Sequence, residues 1–338
     1  MLKLDGRPAG PIACVLLGRL GDTVVATPFL RALRARYPDR PLRLVLSAPC
    51  RGVAPMLDLG DVELSWVGRW HQGGGLAAAA ALRRTNAVVV DLNPAPSKSA
   101  AALVLLSKAA SKVGFRKERL NAPFTHQIDR ARDDEPMLER YRRLAAFFDA
   151  DAAYEPMPRL RVPEAAAAAA ERWAAPRRAN GRRLIGVHPG NFKKFDNRWP
   201  EEKFVALLDR LQEDPSLDIV LLCGPGEKAP VEAIARACRR PPEVLPPSSL
   251  ERTAALLQRL DLFVCNITGT THLAHAVGAP TFGLYAGYTD AVWRPRDARC
   301  GGVVCAEWTS CRSIEVEAAL DALRRSLIPT LGPKPGAR

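Results

Sequence analysis

No stretch of this sequence stays apolar for long enough to span a bilayer. The longest apolar runs, such as Ile12 to Leu17 and Ala100 to Leu106, fall well short of the ~20 residues a membrane helix needs. A secretory leader is missing as well. Lys3, Asp5 and Arg7 precede only a short apolar stretch that Arg19 ends, with neither an h-region nor a small-residue cleavage site. These absences predict a cytoplasmic chain. Cysteines are present but match no common zinc pattern: Cys300, Cys305 and Cys311 are spaced by five and six residues. Cys14, Cys223 and Cys265 fall in apolar strand-like runs, where reduced cysteine acts as a small hydrophobe. No metal site is expected. An aromatic-basic motif of the RNA-recognition kind is also lacking, and the arginines are scattered along helical segments. The formal charge of +13 therefore points away from nucleic acid and toward a membrane surface or a phosphorylated substrate. An Arg-rich solvated surface accounts for most of it.

What the sequence does contain is alternation. At 338 residues the chain exceeds the size at which one core keeps growing, so two domains of about 150 residues are expected. Short apolar runs at Ile12–Leu17, Leu42–Ser47, Ala87–Asp91 and Ser111–Phe115 alternate with amphipathic stretches, the signature of βαβ units and a parallel sheet. One of those stretches, Asp22 to Tyr37, carries Val25, Phe29 and Leu33 at helical spacing and closes at Tyr37-Pro38, which predicts a single helix with Pro28 inside it. Scattered prolines and an alanine-rich helix between Asp149 and Gly181 mark the interdomain region. A second alternation follows. Strands are predicted at Leu184–His188, Asp218–Cys223, Leu262–Cys265 and Thr281–Tyr285, and helices at Glu201–Gln212, Ala229–Arg239, Leu250–Leu260 and Thr270–Val277. The fold class is α/β, with two Rossmann-like doubly wound domains facing a central crevice where the strand C-termini bind ligands.

Three loops at strand ends carry the polar and small residues that bind ligands. Gly18-Arg19-Leu20-Gly21-Asp22 follows the first strand; its glycines are three apart and the third glycine of a dinucleotide fingerprint is absent. No nicotinamide cofactor is expected. Asp22 stands at a helix start, where an aspartate is most often an N-cap. The second loop runs from His188 to Pro200 with Lys193, Lys194 and Arg198 ahead of a helix whose first turn holds Glu201 and Glu202, with Pro200 suited to its first turn. It suits a phosphorylated ligand, or its cations are simply solvated. The third, Asp261 to Pro280, passes from a buried strand into Asn266-Ile267-Thr268-Gly269-Thr270-Thr271-His272 and a small-residue helix. Backbone N–H groups, threonine hydroxyls and His272 at a helix N-terminus form a candidate diphosphate cradle.

The strings GDTVVATPFLRALRARYP, HPGNFKKFDNRWPEEKF, VLLCGPGE and DLFVCNITGTTHLAHAVGAPTFGLY, in that order, resemble glycosyltransferase family 9, which includes the ADP-heptose–lipopolysaccharide heptosyltransferases and has the GT-B architecture of two Rossmann domains. The similarity runs from about Ile12 to Leu327. The resemblance implies an acceptor-binding domain over 1–160, a nucleotide-sugar domain over 181–313 and a docking helix over 314–330. It makes Asp22 the catalytic base, with Gly21 and Arg19 on the acceptor-side loop. His188, Pro189 and Gly190 would border the nucleotide, and Thr268, Gly269, Thr270 and His272 would hold the diphosphate. Two positions depart from the family pattern: Asn197 replaces a lysine, for which Lys193, Lys194 or Arg198 can substitute, and Ile267 replaces an aspartate.

The reaction so implied is an inverting, metal-independent transfer of a heptose or related sugar from ADP-heptose or a similar donor. The acceptor would be an anionic glycolipid or glycan such as the lipopolysaccharide core. No cofactor is needed, and the basic surface would favour peripheral contact with the inner membrane. Two other readings share the architecture. A UDP-sugar 2-epimerase-like isomerase would turn over a nucleotide sugar without acceptor, and a non-catalytic nucleotide-sugar or glycan-binding member would bind without transfer.

Overall fold

The computed structural model describes residues 1–5, 10–68, 74–179, 181–191 and 197–327, and the chain divides into two compact units, Met1–Arg161 and Val162–Arg338. In the first unit the described strands are β1 (Ile12–Leu16), β2 (Leu42–Ser47), β3 (Val62–Val67), β4 (Val88–Asp91), β5 (Lys112–Phe115) and β6 (His126–Ile128). Its helices are α1 (Leu20–Val25), α2 (Thr27–Arg36), α3 (Gly74–Arg83), α4 (Lys98–Leu106) and α5 (Met137–Phe147). The strands form one parallel sheet in the order β3-β2-β1-β4-β5-β6. Every residue of β1 and β4 is buried, because a central parallel strand is covered on both faces and so reads as an uninterrupted apolar run. On one face Ala78 and Leu82 of α3 and Ala100, Leu103 and Val104 of α4 pack against Ala13, Val15, Val45 and Val89. Among the other helices, Phe29 of α2 stacks on Tyr141 of α5 with ring centroids 6.4 Å apart.

The expected single helix over Asp22–Tyr37 is two helices. Ala26 ends α1 and caps α2, and Pro28 is the second residue of α2, where its missing N–H belongs to a group that has no intrahelical partner in any case. β3 and β6 escape the sequence reading because they are not apolar runs. β3 interleaves Glu63 and Ser65 at half-buried or exposed positions, and β6 is the three-residue edge strand His-Gln-Ile.

The second unit opens with α6 (Glu164–Arg178) and continues β7 (Arg183–His188), α7 (Glu201–Leu211), β8 (Leu217–Leu222), α8 (Lys228–Ala237), β9 (Glu243–Leu245), α9 (Leu250–Arg259), β10 (Leu262–Asn266), α10 (Gly269–Ala276), β11 (Thr281–Tyr285), α11 (Gly287–Trp293), β12 (Cys300–Val304) and α12 (Val316–Leu327). Its parallel sheet has the order β12-β11-β10-β7-β8-β9, the same doubly wound pattern as the first. Phe204 and Leu208 of α7, Val231 and Ile234 of α8, and Leu320 and Leu323 of α12 cover Ile185, Leu221, Val264 and Phe282. The C-terminal segment expected to dock as a helix therefore seals this face. The alanine-rich helix α6 packs against α9, with Arg259 bound to Glu171 at 2.9 Å. It belongs to the second unit.

Two elements of this unit were hidden by composition. β9 is a three-residue edge strand, and β12 begins Cys-Gly-Gly. The second of those glycines is required. Gly302 has φ +154°, and a β-carbon there would stand 2.2 Å from the Gly283 carbonyl oxygen and 2.5 Å from the Tyr285 ring. Backbone cannot yield as a side chain can. Gly302→Ala should lower stability by about 1–3 kcal/mol, read as an earlier urea midpoint, whereas an unchanged midpoint would show that β11 and β12 separate freely.

Candidate functional site

Each sheet reverses direction of growth at its first strand, between β1 and β4 in one unit and between β7 and β10 in the other. Open α/β sheets bind ligands beyond the strand C-termini at that point. In the second unit His188 ends β7 and lies beside Cys265 of β10, and Asn266, fully buried, ends β10. The Asn266 side chain donates through Nδ2 to the carbonyls of Pro189 (3.0 Å) and Gly190 (3.2 Å) and accepts the Trp199 N–H through Oδ1 at 3.0 Å. Its own carbonyl accepts from Thr271 Oγ1 at 3.3 Å, and that hydroxyl takes the Thr268 N–H at 3.1 Å. Thr268 caps α10 by accepting the Thr270 N–H at 3.3 Å, as threonine does at an N-cap. One continuous chain of hydrogen bonds thus joins the His188–Gly190 loop to the Thr268–His272 helix start.

A second link runs to the loop after β8. His188, 3 % exposed, holds Glu227 Oε2 through Nε2 at 3.0 Å. Glu227 also accepts the N–H groups of Gly224 (2.8 Å) and Asn191 (3.3 Å). Burial alone would raise the Glu227 pKa, but the His188 hydrogen bond and charge, followed by the two N–H groups, hold it at about 2. The carboxylate is ionised throughout the neutral range. Gly190 makes this pairing possible, since a β-carbon there would stand 2.5 Å from the His188 ring and 2.9 Å from Glu227. His188 Nδ1 is buried with no partner among the described residues.

The two departures from the family pattern have structural roles. Asn197 Oδ1 accepts from Asn191 Nδ2 at 2.7 Å, and Asn191 sits at φ +86°, a left-handed conformation that asparagine tolerates. Asn197 therefore ties together the two ends of the loop. Ile267 is buried between Asn266 and Thr268. Arg198 pairs with Glu201 at 3.3 Å, while Lys193 and Lys194 lie outside the described residues. His272 is buried, with its ring 5.6 Å from that of Trp293. Burial, and then the charge of His275, lowers its pKa to about 3, so it presents a neutral ring. Pro200 itself caps α7, one position before the first turn expected for it.

In the first unit Arg19 caps α1, and Asp22 is the third helical residue. The expectation of Asp22 as N-cap is corrected by this geometry: its carboxylate reaches back to accept the Arg19 N–H at 2.7 Å, the returning half of a capping box. Gly18 gives it room, because a β-carbon there would stand 2.8 Å from Asp22 Oδ2. Gly21, singled out for close approach, is buried inside the helix. At the end of β4, Asp91 Oδ2 meets Lys117 Nζ at 2.6 Å with both side chains buried. Asp91 Oδ1 accepts from Asn93 N–H and Nδ2, and Asn93 Nδ2 reaches the Val15 carbonyl at 3.3 Å. The Tyr141 hydroxyl donates to the Leu92 carbonyl at 3.3 Å, and its pKa is raised well above the ordinary value by burial and then by the charges of Asp22 and Asp91. A cavity of about 570 Å³ also opens in this unit, but Asp58, Gly60 and Asp61 in its lining precede β3. It lies at the opposite end of the strands from Asp22.

Two doubly wound parallel sheets, each with polar, glycine-bearing loops at its reversal point, are the architecture of the GT-B class. The family model for glycosyltransferase family 9 (heptosyltransferase) matches residues 77–319, and the chain belongs to that family. Lipopolysaccharide heptosyltransferase 3 of Escherichia coli (strain K12) is 31% identical over 101 residues, which is 29% of this chain and 29% of that protein. A family 9 glycosyltransferase from Veillonella parvula superposes with a TM-score of 0.80 at 18% identity, over 97% of this chain and 99% of the other. The E. coli ADP-heptose lipopolysaccharide heptosyltransferase II gives 0.75 at 18%, over 95% and 100%. At that identity the two structures establish the fold. Among the described residues no helix is long and apolar enough to cross a membrane.

Two outcomes follow from the second unit. Asn266→Ala should leave the Trp199 N–H and two carbonyls without their partner and destabilise by about 1–3 kcal/mol, seen as a lower thermal midpoint; an unchanged midpoint would mean water replaces the amide. Glu227 has a folded pKa near 2 against an ordinary 4.5, so its ionised form stabilises the fold above pH 4.5 and that stabilisation is lost as pH falls toward 2. Urea titrations of wild type and Glu227→Gln should therefore differ by up to roughly 3 kcal/mol at pH 7, with the gap narrowing below pH 4.5 and closing only as the pH approaches 2. A gap independent of pH would contradict the assignment.

Proposed function

We propose that this protein is an inverting glycosyltransferase that moves a heptose or closely related sugar from a nucleotide-diphosphate donor of the ADP-heptose kind to an anionic glycolipid, such as a lipopolysaccharide core, without a metal ion. The observation that carries the reading is the hydrogen-bond chain from Pro189 and Gly190 through Asn266 to Thr268, in a chain whose residues 77–319 match the family. It fixes a helix start, where N–H groups and the helix dipole favour a diphosphate, beside a glycine-bearing loop. The names of the relatives, a lipopolysaccharide heptosyltransferase and an ADP-heptose enzyme, support the donor and acceptor classes.

In this reading Asp22 accepts the proton of an acceptor hydroxyl as that oxygen bonds to the anomeric carbon. The bond from the anomeric carbon to the diphosphate breaks on the opposite face, and the nucleoside diphosphate leaves with the electron pair. The start of α10, the neutral His272 N–H and Arg198 or the lysines of the 193–194 segment stabilise the charge that develops there. His188 borders the nucleotide, braced by Glu227.

The experiment is calorimetric titration with ADP-, UDP-, GDP- and CDP-sugars, followed by transfer assays with and without chelator. Preference for the ADP-sugar and transfer unaffected by chelator are expected; turnover of the donor with no acceptor would favour an isomerase and overturn the proposal. Within the site, His272→Ala should weaken nucleoside diphosphate binding by roughly tenfold or more and leave the nucleoside alone nearly unchanged. Because its pKa lies near 3, this deficit should be constant from pH 5 to 8. Equal losses for nucleoside and diphosphate would assign His272 to the fold.

A further inference from the structure

The outer faces of α3 and α4 are unlike those of other helices in this protein. These two helices pack against each other and send Ala78, Leu82, Ala100, Leu103 and Val104 into the core. The residues that point the other way are also apolar. Leu76, Leu105 and Leu106 are 84%, 61% and 47% exposed, and Ala77, Ala80 and Ala102 are exposed between them. A helix at the surface of a globular protein ordinarily turns a charged face to water, as α5 does with Glu139, Arg140, Arg142 and Arg143. Neither α3 nor α4 contains a carboxylate.

The charges on these two helices and on the segments at their ends are cations, and the Glu63 carboxylate of neighbouring β3 is paired with Arg43 and Arg84. From Gly74 to Lys117 the sequence has a single carboxylate, Asp91, and that group is buried against Lys117. Exposed Arg83 ends α3, exposed Lys98 begins α4, and exposed Lys108 follows its end. Lys112 places its ammonium 3.2 Å from the Leu105 carbonyl, beside the two exposed leucines. An apolar face rimmed by cations matches an anionic bilayer, whose headgroups meet the cations while the leucines enter the acyl boundary. Two copies of this chain would instead bring the same cations together across a twofold axis.

We propose that the outer face of α3 and α4 is a bilayer-docking surface, which rests the first unit on an anionic phospholipid membrane. It deepens the reading that the acceptor is a membrane glycolipid, but the surface stands on its own exposure and charge, and its test needs neither donor nor acceptor.

The test is vesicle flotation of the full chain. Vesicles of phosphatidylglycerol and phosphatidylethanolamine should carry the protein up the gradient, while phosphatidylcholine vesicles should bind it at least tenfold more weakly. Raising salt to ~0.5 M should reduce anionic binding, since the Debye length contracts. The triple variant Leu76→Ser, Leu105→Ser, Leu106→Ser and the pair Lys98→Glu, Lys108→Glu should each lower the partition coefficient at least tenfold, with circular dichroism and donor binding as in wild type. Val304→Ser, which removes an exposed apolar side chain from the second unit, should have no effect. Wild-type partition into neither vesicle, equal partition of both variants with wild type, or a dimer that the triple variant abolishes without any vesicle binding would each overturn the proposal. Should the leucine variant misfold, the charge pair decides. Loss of vesicle binding with donor binding intact would leave the catalytic reading untouched.

Discussion

The geometry of the second unit depends on one buried amide. Asn266 has no exposure to solvent, so its donors and acceptor must all be met inside the protein. They are met by two carbonyls of the loop after β7 and by the N–H that begins the Trp199 segment. An aspartate could not donate to those carbonyls, and an aliphatic residue would leave three backbone groups in the interior without partners. The requirement reaches further because Trp199, fully buried, donates through Nε1 to the Ile314 carbonyl at 2.8 Å, just ahead of α12. The loop after β7 and the segment that leads into α12 are thus joined by consecutive hydrogen bonds, one to the Asn266 side chain and the next from the Trp199 indole.

The first unit solves the same problem with charge. Asp91, Lys117 and Asn93 satisfy one another beneath the β1–β4 reversal and tie it to the Val15 carbonyl. A buried ion pair is expensive to desolvate, and this one joins the last residue of β4 to the segment after β5. Glycine completes both arrangements. Gly18 leaves space for the Asp22 carboxylate, and Gly190 leaves space for the His188–Glu227 pair. In each unit a glycine leaves room for a carboxylate that accepts backbone N–H groups of the neighbouring loop.

Much of this was legible in the sequence because central parallel strands are apolar throughout. β1, β2, β7, β8, β10 and β11 were each predicted to within a residue or two, and with them the two doubly wound sheets. The edge strands were not. β3 alternates, β6 and β9 have three residues each, and β12 begins with a glycine pair, so none carries the apolar run by which a strand is recognised. The break at Ala26 was invisible because Val25, Phe29 and Leu33 keep one helical period across it. In the candidate site, the Thr268–His272 helix start was readable from hydroxyls ahead of small residues. Glu227, Asn266, Asp91 and Lys117 were passed over. Their long-range contacts span 39 residues for Glu227, 67 to 77 for Asn266 and 26 for the ion pair, and no local pattern records such contacts. The signal that was available is that each polar residue ends or follows an apolar strand.

The central claim, that Asp22 is the base of a glycosyl transfer whose donor is held by the other unit, is tested most directly by Asp22→Asn. Its amide oxygen can still accept the Arg19 N–H that the carboxylate accepts at 2.7 Å, so the end of α1 is preserved while the proton acceptor is removed. Single-turnover transfer, donor dissociation constant and thermal midpoint are to be measured together on the variant and wild type. The account predicts that transfer falls by roughly 10²–10⁴-fold while the donor constant and the midpoint stay nearly unchanged. Near-full transfer by the variant would contradict it and leave Asp22 as a structural residue of α1.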